Sequence, residues 1–255
     1  MNLRNCLKKI FPPYLWRKMS EGRDYLFKRG RFDYRIKRDR ESCLDYTVNC
    51  SQESLRKAKK SILWDEDWKE ATAATVAVLE ELELLRDVQS VIDYGGAVGR
   101  ISRALLEKYE MRLFLIDRSE QMRKHAFCYI PKRYFKENRV SVWSDDEFIK
   151  EHGSLAGRVD LILFIEVLQH IPEPVLEALF PVLLSCLSEN GRVFVLGNKD
   201  LDVDKSGGRH RRLISDFLRQ YVKVVREDVW EQFEKEGARF KFSYPRYSFL
   251  CEPRS

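Results

Sequence analysis

The chain has 255 residues, 44% apolar and 34% charged. That is long enough to bury a core without disulfide staples, and too apolar for global disorder. Its net charge of +6 is unevenly spread: residues 1–60 hold 17 Lys/Arg against 7 Asp/Glu, and the remainder holds 29 against 33. A basic front end on a mildly acidic body suits a nucleic acid, a membrane surface or an anionic substrate, and does not choose among them.

The longest apolar run of the body, Leu161 to Ile165, is far too short to span a bilayer. The start, MNLRNCLKKIFPPYLWRK, has no long apolar stretch before its prolines, so no signal peptide is expected and a cytoplasmic location is. The six cysteines (Cys6, Cys43, Cys50, Cys128, Cys186, Cys251) form no C-x-x-C pair, and no His flanks them at ligand spacing. Six reduced thiols and no metal are therefore expected.

In chain order, residues 1–62 interleave Phe11, Tyr14, Trp16, Tyr25, Phe27, Phe32, Tyr34 and Tyr46 with Arg and Lys. Short helices or a lid are expected there, in a basic N-terminal extension (1–64) folded over a main domain (65–255). Ala74, Val78, Leu82 and Leu85 recur at helical spacing. A regular alternation follows. Strands are expected at 88–94, 111–117, 139–143, 159–165 and 192–197, with helices at 101–109, 119–127, 145–152 and 174–187 between them. This βα alternation is the pattern of a parallel sheet covered on both faces. Residues 211–220 read as a helix. The stretches 221–229 and 240–250 have no helix between them, so an antiparallel hairpin is expected, with one strand beside the fifth.

The sharpest local signal is VIDYGGAVGR, 91–100, in which a strand runs through Gly95, Gly96 and Gly99 directly into a helix. Such glycines permit a tight turn and close approach of a ligand at the carboxyl end of the strand. A nucleoside-triphosphate loop needs Lys-Ser/Thr after its last glycine, and Arg100-Ile101 stands there instead. A dinucleotide loop of G-x-G-x-x-G form fails at Ala97 and Arg100. What remains is Asp93-x-Gly95-x-Ala97-x-Gly99. An acid ending the first strand argues against a pyrophosphate and suits an ammonium. A second acid, Asp117, ends the second strand 24 residues later, where nucleotide-binding units grip a ribose diol. Together the two acids describe S-adenosylmethionine better than NAD.

These residues resemble the class I S-adenosylmethionine-dependent methyltransferases over roughly residues 65–251. The first motif of that family usually reads acid-x-Gly-x-Gly-x-Gly, and Ala97 stands here at its middle glycine. LFLIDRSEQM, Ser144-Asp145, VDLILFIEVLQHIPEP and LSENGRVFVLGN resemble later family segments in the correct order. The resemblance implies an α/β fold with a doubly wound, mostly parallel seven-stranded sheet, order 3-2-1-4-5-7-6, strand 7 antiparallel. It implies S-adenosylmethionine as cofactor and S-adenosylhomocysteine as product. Asp93, Gly95, Gly96, Ala97, Gly99 and Arg100 would line the methionine part. Asp117, Arg118 and Met122 would hold the ribose side, and Trp143, Ser144 and Asp145 would edge the adenine. Ile165 and Glu166 would face the reaction centre, with His170 and Glu166 as candidate bases and, as the favoured reading, no dedicated base, proximity doing most of the work.

Acceptor recognition is expected from the extension and the 199–212 stretch, with Trp64, Trp68, Lys205, Arg209, Arg211 and Arg212 as candidates. Arg clusters read phosphates and carboxylates. The expected acceptor is an anionic small molecule or glycan, phosphorylated or lipid-linked ones included, methylated on oxygen. RNA is the second reading, since basic and aromatic side chains can track a strand. However, Glu166-Val167-Leu168-Gln169 follows the fourth strand, not a base-methylating motif of the Asn-Pro-Pro-Tyr type. Peripheral membrane contact through Leu7, Ile10, Phe11, Leu15 and Trp16 is a weaker option. A catalytically inactive scaffold of the same fold is the non-enzyme alternative.

Overall fold

A computed structural model describes residues 68–171, 173–200, 212–235 and 238–254. The expected N-terminal extension and most of the 199–212 basic stretch lie outside these residues.

Helix α1 (Trp68–Glu81) leads to β1 (Ser90–Tyr94), α2 (Arg100–Lys108) and β2 (Arg112–Ile116). Next come α3 (Glu120–Tyr129), the short α4 (Lys132–Lys136), β3 (Val140–Trp143) and α5 (Asp145–Leu155). The middle of the sheet is β4 (Val159–Ile165), followed by a 3-10 turn (Leu168–His170), α6 (Glu173–Leu184) and β5 (Leu187–Gly197). Helix α7 (Ile214–Tyr221) precedes the hairpin β6 (Val222–Lys235) and β7 (Ala238–Pro253).

The seven strands form one sheet in the order β3-β2-β1-β4-β5-β7-β6. β1 pairs parallel with β2 and β4, and β7 runs antiparallel to β5 and β6. The order and the antiparallel seventh strand are those the resemblance implied. The apolar runs of the central strands follow from two-sided burial. Along β4, Ile162 and Phe164 enter one core layer, with Phe114, Phe180 and Phe217, while Leu161 and Leu163 enter the other, with Leu79, Leu105 and Leu113.

Several boundaries differ from the sequence reading. β5 begins at Leu187, not at Arg192, because Leu187 already pairs with Val159 before a bulge resets the register to Leu161 opposite Arg192. Gly191 lies within that bulged stretch, and a Cβ there would come within 2.7 Å of the Val159 carbonyl oxygen. α6 accordingly ends at Leu184. The terminal hairpin is longer than expected, at 14 and 16 residues. Only Tyr247 to Cys251 of β7 pair with β5, so the segment before Tyr247 runs past Gly197, the carboxyl end of β5.

Cys186 and Cys251 are free and buried. Cys128 is disulfide-bonded, so the expectation of six reduced thiols fails at that position. Among the described residues no helix is long and apolar enough to cross a membrane.

Candidate cofactor site and reaction centre

The glycine loop turns at the carboxyl end of β1. Gly95, Ala97 and Gly99 have φ of +75°, +50° and +77°, the left-handed region that glycine adopts without a steric penalty. Space is as restrictive as backbone angle. A Cβ on Gly95 would lie 2.2 Å from Val167 Cγ2, and one on Gly99 would lie 2.7 Å from Ile130 Cδ1 and 2.8 Å from Leu115 Cδ1. The Gly95 N–H donates to the Ile116 carbonyl at 2.7 Å, which pins the loop to the end of β2.

Asp93 is buried below this loop and accepts the Ser102 hydroxyl at 2.6 Å. Burial pushes its carboxyl above the usual range, and the Ser102 bond opposes that shift. Asp117 takes two backbone N–H groups: Ser119 donates to Oδ1 at 2.7 Å and Ala97 donates to Oδ2 at 2.9 Å. Burial raises the Asp117 carboxyl to about 6 against these two bonds. Each carboxylate oxygen accepts more than one bond, so Asp117 keeps acceptor capacity toward a ribose diol.

Beyond Asp117 the rim passes to β3 and α5. The Asp117 N–H donates to the Trp143 carbonyl at 3.1 Å, and the Trp143 ring packs on Phe114 at 5.1 Å between centroids. Ser144 caps α5 in a reciprocal capping box with Glu147. Its expected place at the adenine edge is therefore joined to a structural duty. Asp145 accepts the Tyr94 hydroxyl at 2.9 Å. Burial raises the Asp145 carboxyl, and with Asp145 as neighbour it also raises the Tyr94 phenol well above its ordinary value.

The carboxyl end of β4 holds the second half of the site. Glu166 is a non-glycine residue at φ +57°. Gln169 Nε2 donates to Glu166 Oε2 at 2.9 Å, and Arg246 Nε of β7 pairs with Glu166 Oε1. Gln169 sits against Gly197, where a Cβ would come within 2.8 Å of its Oε1. Arg100, at the start of α2, donates to the Thr72 hydroxyl at 3.3 Å. Burial lowers its guanidinium, while the nearby Glu166 and Asp93 oppose that shift and Arg246 adds to it.

The structure thus brings Asp93, Gly95, Gly96, Ala97, Gly99, Arg100, Asp117, Trp143, Ser144, Asp145, Ile165 and Glu166 to one edge of the sheet. Met122 and Arg118 flank it, with the Met122 N–H donating to the Ser119 hydroxyl at 3.3 Å and Arg118 interacting electrostatically with Asp145. Arg212, expected at the acceptor, is instead ion-paired with Glu173 and lies 5.5 Å from the Phe217 ring centroid. His170 ends the 3-10 turn and Trp68 opens α1, and the side chains of both lie outside what is described. Trp64, Lys205, Arg209 and Arg211 lie outside the described residues altogether. Sequence reasoning missed Gln169, Arg246 and Tyr94. Tyr94 adjoins the motif acid, but Arg246 is 80 residues from Glu166 and carries no local signal.

This sheet order, with a glycine loop after the first strand and acids ending the first two, defines the class I, Rossmann-like S-adenosylmethionine methyltransferase fold. A family model described as a methyltransferase domain matches residues 65–236, and the chain belongs to that family. Three solved structures share the fold. A Leishmania major S-adenosylmethionine-dependent methyltransferase matches at 18% identity and TM-score 0.54, over 83% of this chain and 82% of its own. A Pyrococcus horikoshii protein matches at 18% identity and TM-score 0.51, over 74% and 92%. The magnesium protoporphyrin IX methyltransferase of Synechocystis PCC 6803, solved with bound S-adenosylmethionine, matches at 18% identity and TM-score 0.50, over 93% and 97%. Among curated proteins, none matches the chain.

Proposed function

We propose that this protein transfers a methyl group from S-adenosylmethionine to an oxygen of an anionic small molecule or glycan. The observation that carries the cofactor reading is the loop itself. Gly95 and Gly99 hold left-handed φ where a Cβ would strike Val167, Ile130 and Leu115, and Asp117 stands across the loop from Ala97. This packing fixes the left-handed turn at the carboxyl end of β1, where open α/β sheets bind ligands, and the acid beside it has room to accept from hydroxyls.

The cofactor would supply an electrophilic methyl on a sulfonium. The chain's own residues would do the rest. Asp117 accepts from the ribose hydroxyls, and Trp143 offers its ring as an adenine edge. Asp93 supplies negative charge below the loop for the methionine ammonium. Glu166, held by Gln169 and Arg246, faces the acceptor side and can take a proton from the acceptor hydroxyl as the new bond forms. Holding acceptor and donor in line and excluding water accounts for most of the acceleration. The anionic character of the acceptor rests on the basic residues of the extension and of the 205–211 stretch.

The test is calorimetry of the full chain with S-adenosylmethionine, followed by a methyl-transfer screen across carboxylates, phosphosugars and RNA. Saturable cofactor binding with transfer to an anionic small molecule or glycan supports the reading. No binding at roughly millimolar cofactor to folded protein overturns it. Transfer to RNA alone replaces its acceptor half.

A further inference from the structure

β7 delivers Arg246 to the reaction centre by an unusual route. The sheet order is β4-β5-β7, so an arginine on β7 must reach across the end of β5 to touch β4. β5 ends at Gly197, opposite Tyr247, and Arg246 is the next residue of β7 beyond that pair. Here it finds the Glu166 carboxylate, with its own side chain 12% exposed and that of Glu166 23% exposed. On the outer strand, Trp230 stands opposite Arg246 in register, fixed by donation from its Nε1 to the Ser248 hydroxyl at 2.8 Å. The backbone of Arg246 is thus held by pairing with β6, one residue past the last β5 pair, and not on a loose loop.

Arg100 and Arg246 interact electrostatically with each other and both with Glu166, so two guanidiniums share this edge with that carboxylate. Half-buried charge of one sign is costly without a partner. A guanidinium presents its donors as a planar fork that matches carboxylate and phosphate oxygens. Glu166 occupies that fork through Arg246 Nε, and its backbone is held at φ +57°, an outlier of the kind kept at functional sites.

We infer that Arg246 is the acceptor-binding cation of this site: an oxyanion of the acceptor, carboxylate or phosphate, takes the place of Glu166 on its guanidinium. This rests on the methyl-transfer reading above and moves its anion recognition from the basic stretches of the sequence to one residue of the sheet. Displaced from Arg246, Glu166 stays tethered by Gln169 and, without its neutralising partner, is a stronger base toward the acceptor hydroxyl.

The experiment is an NMR titration of the full chain loaded with S-adenosylhomocysteine, using acetate and inorganic phosphate as separate probes. The Arg246 Nε–H resonance is the readout, and product binding is measured by calorimetry in every variant. Wild type is expected to show a saturable shift of that resonance with one probe tighter than the other, which tells a carboxylate acceptor from a phosphorylated one. Arg246→Gln is expected to weaken that binding at least about 10-fold, as measured on neighbouring amides, while product affinity stays within about 3-fold. Glu166→Gln, which removes the competing carboxylate and keeps the Gln169 contact, is expected to tighten anion binding several-fold. That second variant carries the test if Arg246→Gln fails to fold. No saturable shift, or anion binding indifferent to both substitutions while the product still binds, overturns this inference and leaves the methyltransferase reading standing. Failure of the product to bind at all overturns both.

Discussion

The Asp117 carboxylate accepts the backbone N–H of Ala97 at 2.9 Å, so the acid that ends β2 holds the alanine of the glycine loop at a left-handed φ of +50°. The proposed ribose contact and a loop latch therefore converge on one side chain. The latch also explains how an alanine is accommodated where related loops use glycine. The hydrogen bond to a charged acceptor, worth about 1.5–3 kcal/mol, offsets the roughly 1–2 kcal/mol cost of a left-handed non-glycine residue.

Asp117→Asn is expected to lower S-adenosylmethionine affinity by about 10- to 100-fold, the loss of one or two charge-assisted hydrogen bonds. Wild-type affinity should itself decline below pH about 6, where the Asp117 carboxyl takes up a proton, while the Asn variant stays weak and flat. Calorimetry across pH 5 to 8 checks both, and equal pH profiles would count against the assignment.

The same carboxyl fixes a sign for stability. Its folded value of about 6 lies above the ordinary 3.8, so the native state binds more protons than the unfolded chain between these limits. Stability contributed by Asp117 therefore falls as pH rises through that window and is level above it. Thermal melts of wild type and Asp117→Asn should diverge in the variant's favour from about pH 4 to about pH 6, then run parallel.

Gly95→Ala and Ala97→Gly should have opposite fates although both lie in one turn. The first places a Cβ 2.2 Å from Val167 Cγ2 at a φ of +75°, and is expected to cost more than about 2 kcal/mol and to abolish cofactor binding. The second removes a left-handed penalty of about 1 kcal/mol and adds a similar unfolded-state entropy. Its melting transition should stay within about 0.5 kcal/mol of wild type. Chemical denaturation separates the two outcomes.

Ser144→Ala removes the capping box of α5, with its Glu147 N–H to Ser144 Oγ bond at 3.2 Å. A loss of about 1 kcal/mol in stability is expected, with cofactor affinity changed less than about 3-fold. A large affinity loss at unchanged stability would instead make Ser144 an adenine contact first and a cap second.

Tyr94→Phe leaves the half-buried Asp145 carboxylate without its phenol donor and should cost about 1–3 kcal/mol. Asp145→Asn keeps an acceptor for the same hydroxyl, so it should cost less. Denaturation of the pair orders them, and the reverse order would show that Asp145 is held chiefly by the neighbouring arginines Arg118 and Arg123.

The residues local in sequence were the legible ones. The βα alternation could be read because strands buried on both faces are mostly apolar, as β1, β2 and β4 are. The loop and its two acids could be read because a strand, a turn needing glycine and a helix lie within ten residues, and one further unit carries Asp117. The Ser144 capping box is legible too, as Ser-x-x-Glu, in the same residue that the resemblance assigns to the adenine edge. What tertiary structure alone decided is which distant side chains meet. Arg212 turned to Glu173, because α7 packs its Phe217 against Phe180 of α6. Glu166 met Arg246 across 80 residues of chain, because β7 enters the sheet between β5 and β6 and its register sets that arginine just past the end of β5. Periodicity and turn chemistry act over a few residues and leave their mark in the sequence. Strand order and register are settled by the hydrogen-bonded ladder of the whole sheet, and only there do a glutamate and an arginine become neighbours.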